Sequence, residues 1–245
     1  MNDTWIIVRK ELKEIWRARG SLRSRLLSFL PILLVFGIYL PLQQREAWTE
    51  VPAVSGIWFM MLPLFLAGGT AADSFAGERE RHTLETLLAT RLSDRDIFVG
   101  KVLATVLYCV GITWSCALLG WTALNVTKGA SPSFMYSAPV LALITLGSTL
   151  VSLLMTAVGV LVSLRAASVR SAAQVSSMVT LVLFIGLPVL LQALPSSVRE
   201  AVGVALAGAN WGVLGSVAAL VVLLVDVALL MVGVARFQRA RLVLE

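Results

Sequence analysis

Charge is scarce in this sequence. Asp, Glu, Lys and Arg make up 14% of its 245 residues, against 58% hydrophobic residues, whereas a soluble domain usually carries about 25% charged residues. One soluble core of this length has no room for so much apolar surface. Histidine is reduced to a single residue, His82, and no Cys/His spacing offers it partners for a metal site. The two cysteines, Cys109 and Cys116, sit seven residues apart in one apolar run. On a helix that spacing is about 10 Å, beyond the ~7 Å that a disulfide tolerates between Cα atoms. Both therefore read as small hydrophobes. The polar–apolar alternation of a membrane barrel is missing. A cleavable signal peptide is not expected either, because the N-terminal charged region runs for 25 residues and no small-residue cleavage site follows the first apolar run.

What the chain does have is long uncharged stretches. About 20 helical residues cross a ~30 Å hydrocarbon layer, and residues 26–42, 51–72, 102–124, 138–164, 171–194 and 213–235 meet that demand. The expectation is an all-α, polytopic membrane helical bundle with six transmembrane helices, forming a single transmembrane domain over residues 1–245. The first span is short and bracketed by Pro31 and Pro41. Residues 201–235 as one helix would be about 50 Å long, and Gly203, Gly208, Asn210, Trp211 and Gly212 weaken its first third. We therefore expect a re-entrant or extracellular hairpin over 195–212, followed by the last span. At the other terminus, Trp5, Val8, Leu12, Ile15 and Trp16 share one helical face while Arg9, Lys10, Lys13 and Arg17 lie around the rest. This pattern predicts an amphipathic helix within residues 1–25, lying in the membrane interface.

Basic residues give the orientation. Seventeen of the twenty Lys and Arg residues fall in the N-terminus, the 77–101 segment, the 165–170 turn and the tail, while Arg45, Lys128 and Arg199 are alone on the other side. The positive-inside rule then places both termini in the cytoplasm and favours an even number of spans. The net charge of +6 is read as contact with anionic lipid, and no aromatic-interleaved groove for nucleic acid appears. Trp48, Trp58, Trp121 and Trp211 read as anchors at the outer boundary. Asp226, inside the last span, should face protein or water. It is a candidate pathway group or an interhelical hydrogen-bonding partner of a Ser or Thr. Asp73, at the inner end of the second span, is expected to be a structural charge near Arg79.

The segment GERERHTLETLLATRLSDRDIFVGK, residues 77–101, carries most of the chemistry. Leu84, Leu87 and Leu88 form an i, i+3, i+4 stripe on a short helix, for which Thr83 is a candidate N-cap and Glu85 suits the positive end of the dipole. Ser93 and Asp96 form an S-x-x-D start signal for the next helix. A short helix with exposed leucines among charges fits either a groove on a cytoplasmic partner or the membrane surface.

The pattern E-R-E-x-x-T-L-E-x-L-L-A-T-x-L-S-x-x-D-I-x-x-G-K, residues 78–101, resembles the signature of ABC-2-type transporter permeases, which carry it between their second and third spans. The family usually has Gly where His82 stands and Pro where Arg91 stands. The resemblance implies two six-span permease subunits, alike or related, each seated on a separate ABC-type ATP-binding subunit in a bacterial or archaeal inner membrane. It also implies that the short cytoplasmic helix receives the push of ATP binding and hydrolysis. Carried over by position, Glu78, Arg79, Glu80, Thr83, Leu84, Glu85, Leu87 and Leu88 would contact the ATPase subunit. The implied function is the permease subunit of an ATP-driven exporter, with no cofactor, metal or catalytic residue of its own. Gly100–Lys101 is not a P-loop, since Arg95 stands where its first Gly is needed and Val102 where Ser or Thr is needed. The alternative reading is an ATP-independent secondary transporter or channel. A membrane-embedded enzyme lacks the clustered intramembrane groups it would need.

Overall fold

The computed structural model describes residues 2–17, 22–83, 90–128, 134–208 and 210–237. Every regular element among them is a helix, as hydrocarbon requires of segments that must pair their own backbone N–H and C=O groups. Helix α1 is Asn2–Arg17. Rod α2 runs through Leu22–Leu34, a π-helical turn Val35–Tyr39, and Leu40–Gln43. A short α3, Arg45–Glu50, leads to α4, Pro52–Glu80, which opens on a proline that suits a first helical position. Helix α5 is Asp94–Lys128. Rod α6 joins Ala138–Ala142, the π turn Leu143–Gly147 and Ser148–Arg165. Rod α7 joins Val169–Leu181, the π turn Val182–Gly186 and Leu187–Ala193. Helices α8, Ser196–Ala207, and α9, Trp211–Arg236, complete the described chain.

Among the described residues, five helices are long and apolar enough to cross a membrane: Val54–Glu80, Asp94–Thr127, Ala138–Arg165, Val169–Gly186 and Gly212–Arg236. The first expected span appears as a shorter apolar stretch, Phe29–Gln43, within α2. Helices α4 and α5 have 29 and 35 residues, which at 1.5 Å per residue is about 43 and 52 Å, well over the ~30 Å of a hydrocarbon layer. Their surplus length carries the charges of residues 73–80 and 94–101. The two rods thus share a stiff charged stem at one end of the bundle.

Helix α4 is the centre, packed on α6, α7 and α5. Its contact with α6 is made by small residues, and a Cβ on Gly159 would stand 2.6 Å from that of Ala71. Such close backbone approach is how helices associate in lipid, where burial of apolar surface gives little drive. The main core gathers Trp48, Phe59, Leu62, Tyr108, Leu124, Ile144 and Met155, and a second cluster at the stem gathers Ile7, Phe75, Ile97, Phe98, Val160 and Phe237. Helix α9 lies on the outside. Asp226 and Gly233 are its buried residues among those described, while Val213, Leu220, Leu224 and Met231 form an apolar skin suited to lipid.

Several local expectations shift. Trp48 is no boundary anchor: α3 turns it into the core, edge-on to Phe59 at 5.5 Å. Trp58 packs on Phe36, the Trp121 indole donates to the Phe134 carbonyl at 2.9 Å, and the side chain of Trp211 lies outside the described residues. On α1 the stripe is split. Val8 is buried together with Ile7, and Leu12 and Ile15 pack on the core, whereas Trp5 and Trp16 stay about half exposed at the edge. Helix α8 ends at Ala207 and α9 begins at Trp211, where the Asn210 side chain caps α9 by accepting from the N–H groups of Gly212 and Val213 at 3.1 and 3.4 Å. Cys109 and Cys116 are buried and unlinked.

Candidate functional site

The stem begins where α4 ends. His82 takes a positive φ of 55°, the Thr83 N–H donates to the Glu78 carbonyl at 2.9 Å, and the His82 N–H donates to Arg79 at 3.1 Å. This is a Schellman ending, a motif that prefers glycine at the left-handed position. It gives the physical reason why a glycine is expected where His82 stands. The Thr83 hydroxyl also donates back to the Glu78 carbonyl at 3.3 Å.

The three residues before this turn each tie α4 to a different neighbour. Glu78 is buried, and its Oε1 accepts from Lys101 of α5 at 2.8 Å and from Lys10 of α1 at 3.2 Å. Arg79 donates to the carbonyls of Leu164 and Ala166 at 3.0 and 2.6 Å, a cation on the negative end of α6. Glu80 accepts from the Val169 N–H at 2.8 Å, a carboxylate on the positive end of α7. Glu-Arg-Glu is thus a hub that ties α4 to four other helices.

Lys101 is the centre of the hub. Its side chain is 1% exposed, and its ammonium donates to Glu11 at 2.8 Å, to Glu78 at 2.8 Å and to the Ser74 carbonyl at 2.9 Å. The Phe75 ring lies 5.2 Å beneath it. All three ammonium protons are therefore used, the condition for burying a charge at tolerable cost. Glu11, Glu14 and Glu78 bring carboxylate oxygens within 4.8 Å of one another, a grouping able to hold a metal. The Lys10 ammonium already sits among them, at 3.6, 3.4 and 3.2 Å. Partial burial disfavours the charge of Lys10, but Glu78, Glu11 and Glu14 outweigh that and raise its pKa above the ordinary value.

The end of the pattern, D-I-x-x-G-K, is the seat of α1. The Thr4 hydroxyl donates to the Asp96 carboxylate. Ile97 is fully buried beside Ile7. A Cβ on Gly100 would stand 2.7 Å from Ile7 and 3.3 Å from the Thr4 carbonyl, so only glycine admits α1 at this distance. Lys101 then binds Glu11. Asp96, Ile97, Gly100 and Lys101 recur at helical spacing and form one face of α5. The S-x-x-D start signal is realised, with the Asp96 N–H donating to the Ser93 hydroxyl at 3.1 Å.

Of the residues expected to touch a partner, Leu84, Glu85, Leu87 and Leu88 lie outside the described residues. Glu78 and Arg79 spend their side chains on the chain's own fold, while Glu80 and Thr83 remain exposed. Asp73 is a structural charge, and its partner is Arg81, at 3.0 and 3.1 Å. Asp226 is fully buried, and neither carboxylate oxygen has a hydrogen-bond partner among the described residues. Sequence reasoning missed Glu11, Lys10 and the bonding role of Lys101. The signal for Glu11 was present, since it falls in step with Thr4, Val8 and Ile15 on the face of α1 that is otherwise buried.

A family model described as ABC-2 type transporter matches residues 2–200, which takes in the whole hub from α1 through the start of α7. No curated relative matches the chain.

Proposed function

The chain belongs to the ABC-2 type transporter family, and from that premise we propose that it is the permease subunit of an ATP-driven exporter. A separate ABC-type ATPase subunit drives it from the cytoplasm, and a second permease subunit, a copy or a relative, completes the pathway. Six crossings, with α2 as the short first one, place both termini in the cytoplasm of an inner membrane. Residues 195–212, which include α8, then fall on the outer side as a re-entrant or extracellular hairpin. The observation that carries the reading is the hub: one buried lysine and the Glu-Arg-Glu triplet bind α1, α4, α5 and the adjoining ends of α6 and α7 into one body. A push delivered to the stem moves all of them together. Glu80, Thr83 and the segment holding Leu84, Glu85, Leu87 and Leu88 form the contact with the ATPase. Glu78 and Arg79 pass the force inward. Asp226, a carboxylate turned into the bundle, is a candidate pathway group.

Isolation from the native membrane in mild detergent is expected to bring down an ATPase subunit at near-equal stoichiometry. A chain that purifies alone from membranes with full transport activity overturns the proposal. Replacing Leu84, Leu87 and Leu88 together with Ser should leave insertion intact while ATP hydrolysis continues without transport. Full transport by that variant removes the contact from the segment.

A further inference from the structure

Just before the hub, a hydroxyl from another helix reaches the backbone of α4. The Ser163 hydroxyl, near the end of α6, donates to the Ala72 carbonyl at 2.8 Å and accepts from the Ala76 N–H at 2.8 Å and the Phe75 N–H at 3.1 Å. Ala72 C=O and Ala76 N–H are the i and i+4 partners that a regular helix joins to each other. One hydroxyl from another helix serves both. Two residues on, Lys101 takes the Ser74 carbonyl at 2.9 Å. Ser163, Ala72 and Ala76 are all buried, so no solvent competes for these groups. A side chain inserted into the i→i−4 ladder is one of the few established causes of a helix bend.

We propose that Ser163 makes residues 72–76 of α4 the pivot of the permease. Because the hydroxyl satisfies both Ala72 C=O and Ala76 N–H, the two can part or close without leaving a buried polar group unpaired. Four residues at or beside this stretch, Ala71, Ala72, Ala76 and Gly77, are small. Above the pivot, Gly159 of α6 grips α4 at Ala71. Below it, Glu78 is locked to α1 and α5 through Lys101 and Lys10. The pivot therefore lies between the grip of α6 on α4 at Ala71 and the hub, which holds α1, α5 and only the adjoining ends of α6 and α7. Ser163 is a positioning residue, and its role as pivot rests on the coupling reading above.

Amide hydrogen exchange on the full chain in lipid nanodiscs tests the pivot without any ATPase present. In Ser163→Ala the ladder closes, and exchange at Ala76 is expected to slow about tenfold. Ser163→Thr keeps the hydroxyl and should keep the native rate. Unchanged exchange within α5 reports that the fold is intact. A serine that only braces α4 gives the opposite sign, because its removal frees the Ala76 N–H. Unchanged or faster exchange in Ser163→Ala therefore overturns the proposal. If Ser163→Ala does not fold, Ser163→Cys, close in size and a weak donor, takes its place with the same criteria. In the complex with its ATPase, ATP and vanadate should alter exchange over residues 72–80 in the native chain and not in Ser163→Ala; the same response in both overturns the pivot. A preparation in which no ATPase is found counts against the coupling reading alone, and the nanodisc result stands apart from it.

Discussion

The two ends of the bundle are held by different chemistry. At the stem, two lysines and three glutamates are drawn together, and Lys101 alone makes three bonds. At the opposite end the joints are aromatic. Trp48 meets Phe59 edge-on, Phe59 meets Tyr136 at 5.9 Å, and Tyr136 meets Phe134 at 5.1 Å. One amide, Asn125, pins the loop there by exchanging bonds with both the N–H and the carbonyl of Phe134. Ring contacts are each worth only about 0.5–1.5 kcal/mol beyond their burial, and no charge is stranded when one shifts. Buried ion pairs differ, since loss of either partner strands a charge. The difference locates rigidity at the end that receives force and leaves compliance at the other.

The sharpest way to break this contrast is Lys101→Met. Glu11 and Glu78 then lose their buried partner, and the expected loss is about 3–5 kcal/mol of stability, read by unfolding in detergent. A loss under about 1 kcal/mol would mean that the charges do not hold the stem. Replacing Glu11, Glu78 and Lys101 together with apolar residues is expected to restore much of that stability, because the stranded charges are gone. It should still leave transport impaired, since the fixed geometry is lost with them.

The opposite end supplies the control. Asn125→Ala removes both bonds to Phe134 and should cost about 1–3 kcal/mol, with coupling of hydrolysis to transport unchanged. Uncoupling by this variant would show that the aromatic end is also part of the transmission, and the contrast would fall.

The parts of this arrangement that were readable in the sequence are local ones. Ser93 and Asp96 announced the start of α5 because a cap is written within four residues. The apolar runs marked the rods because hydrocarbon imposes their length. The interruption before α9 showed in Gly208, Asn210 and Gly212. The hub was not readable, because Glu11, Glu78 and Lys101 are brought together only by the crossing of three helices. The partner of Asp73 was not readable either: α4 points Arg79 at α6 and leaves Arg81 to fold back past Gly77, where a Cβ would collide with the Asp73 carboxylate. Trp48 looked like a boundary residue because nothing in its neighbours says that α3 turns inward. Gly100–Lys101, of no use as a phosphate loop, turned out to be a seat for one helix and a lock for another.

A smaller effect tests the exit from α4. His82 holds a left-handed conformation that costs a side chain roughly 1 kcal/mol relative to glycine. His82→Gly should therefore raise stability by about 1 kcal/mol, provided the imidazole makes no compensating contact. A fall in stability would mean that His82 is held by more than its backbone, and would add a side-chain role at the edge of the partner-facing segment.

The smallest effect separates the lock from its rim. Lys10 touches the same three carboxylates as a metal would, but its side chain is 42% exposed, and solvent screening limits such pairs to less than about 1 kcal/mol. Lys10→Gln is thus expected to cost far less than Lys101→Met although both bind Glu78. Its pH signature follows from the sign of the shift. The carboxylates raise the Lys10 pKa above its ordinary value of 10.5, so its contribution is complete below that value and fades only as pH rises through the higher, folded one. Between neutral pH and about 9 the native chain and Lys10→Gln should differ by a constant amount, and added salt should shrink that amount while leaving the Lys101 effect in place. If salt weakens both equally, Lys101 is as exposed to solvent in motion as Lys10 is at rest, and the stem is not the rigid end of the molecule.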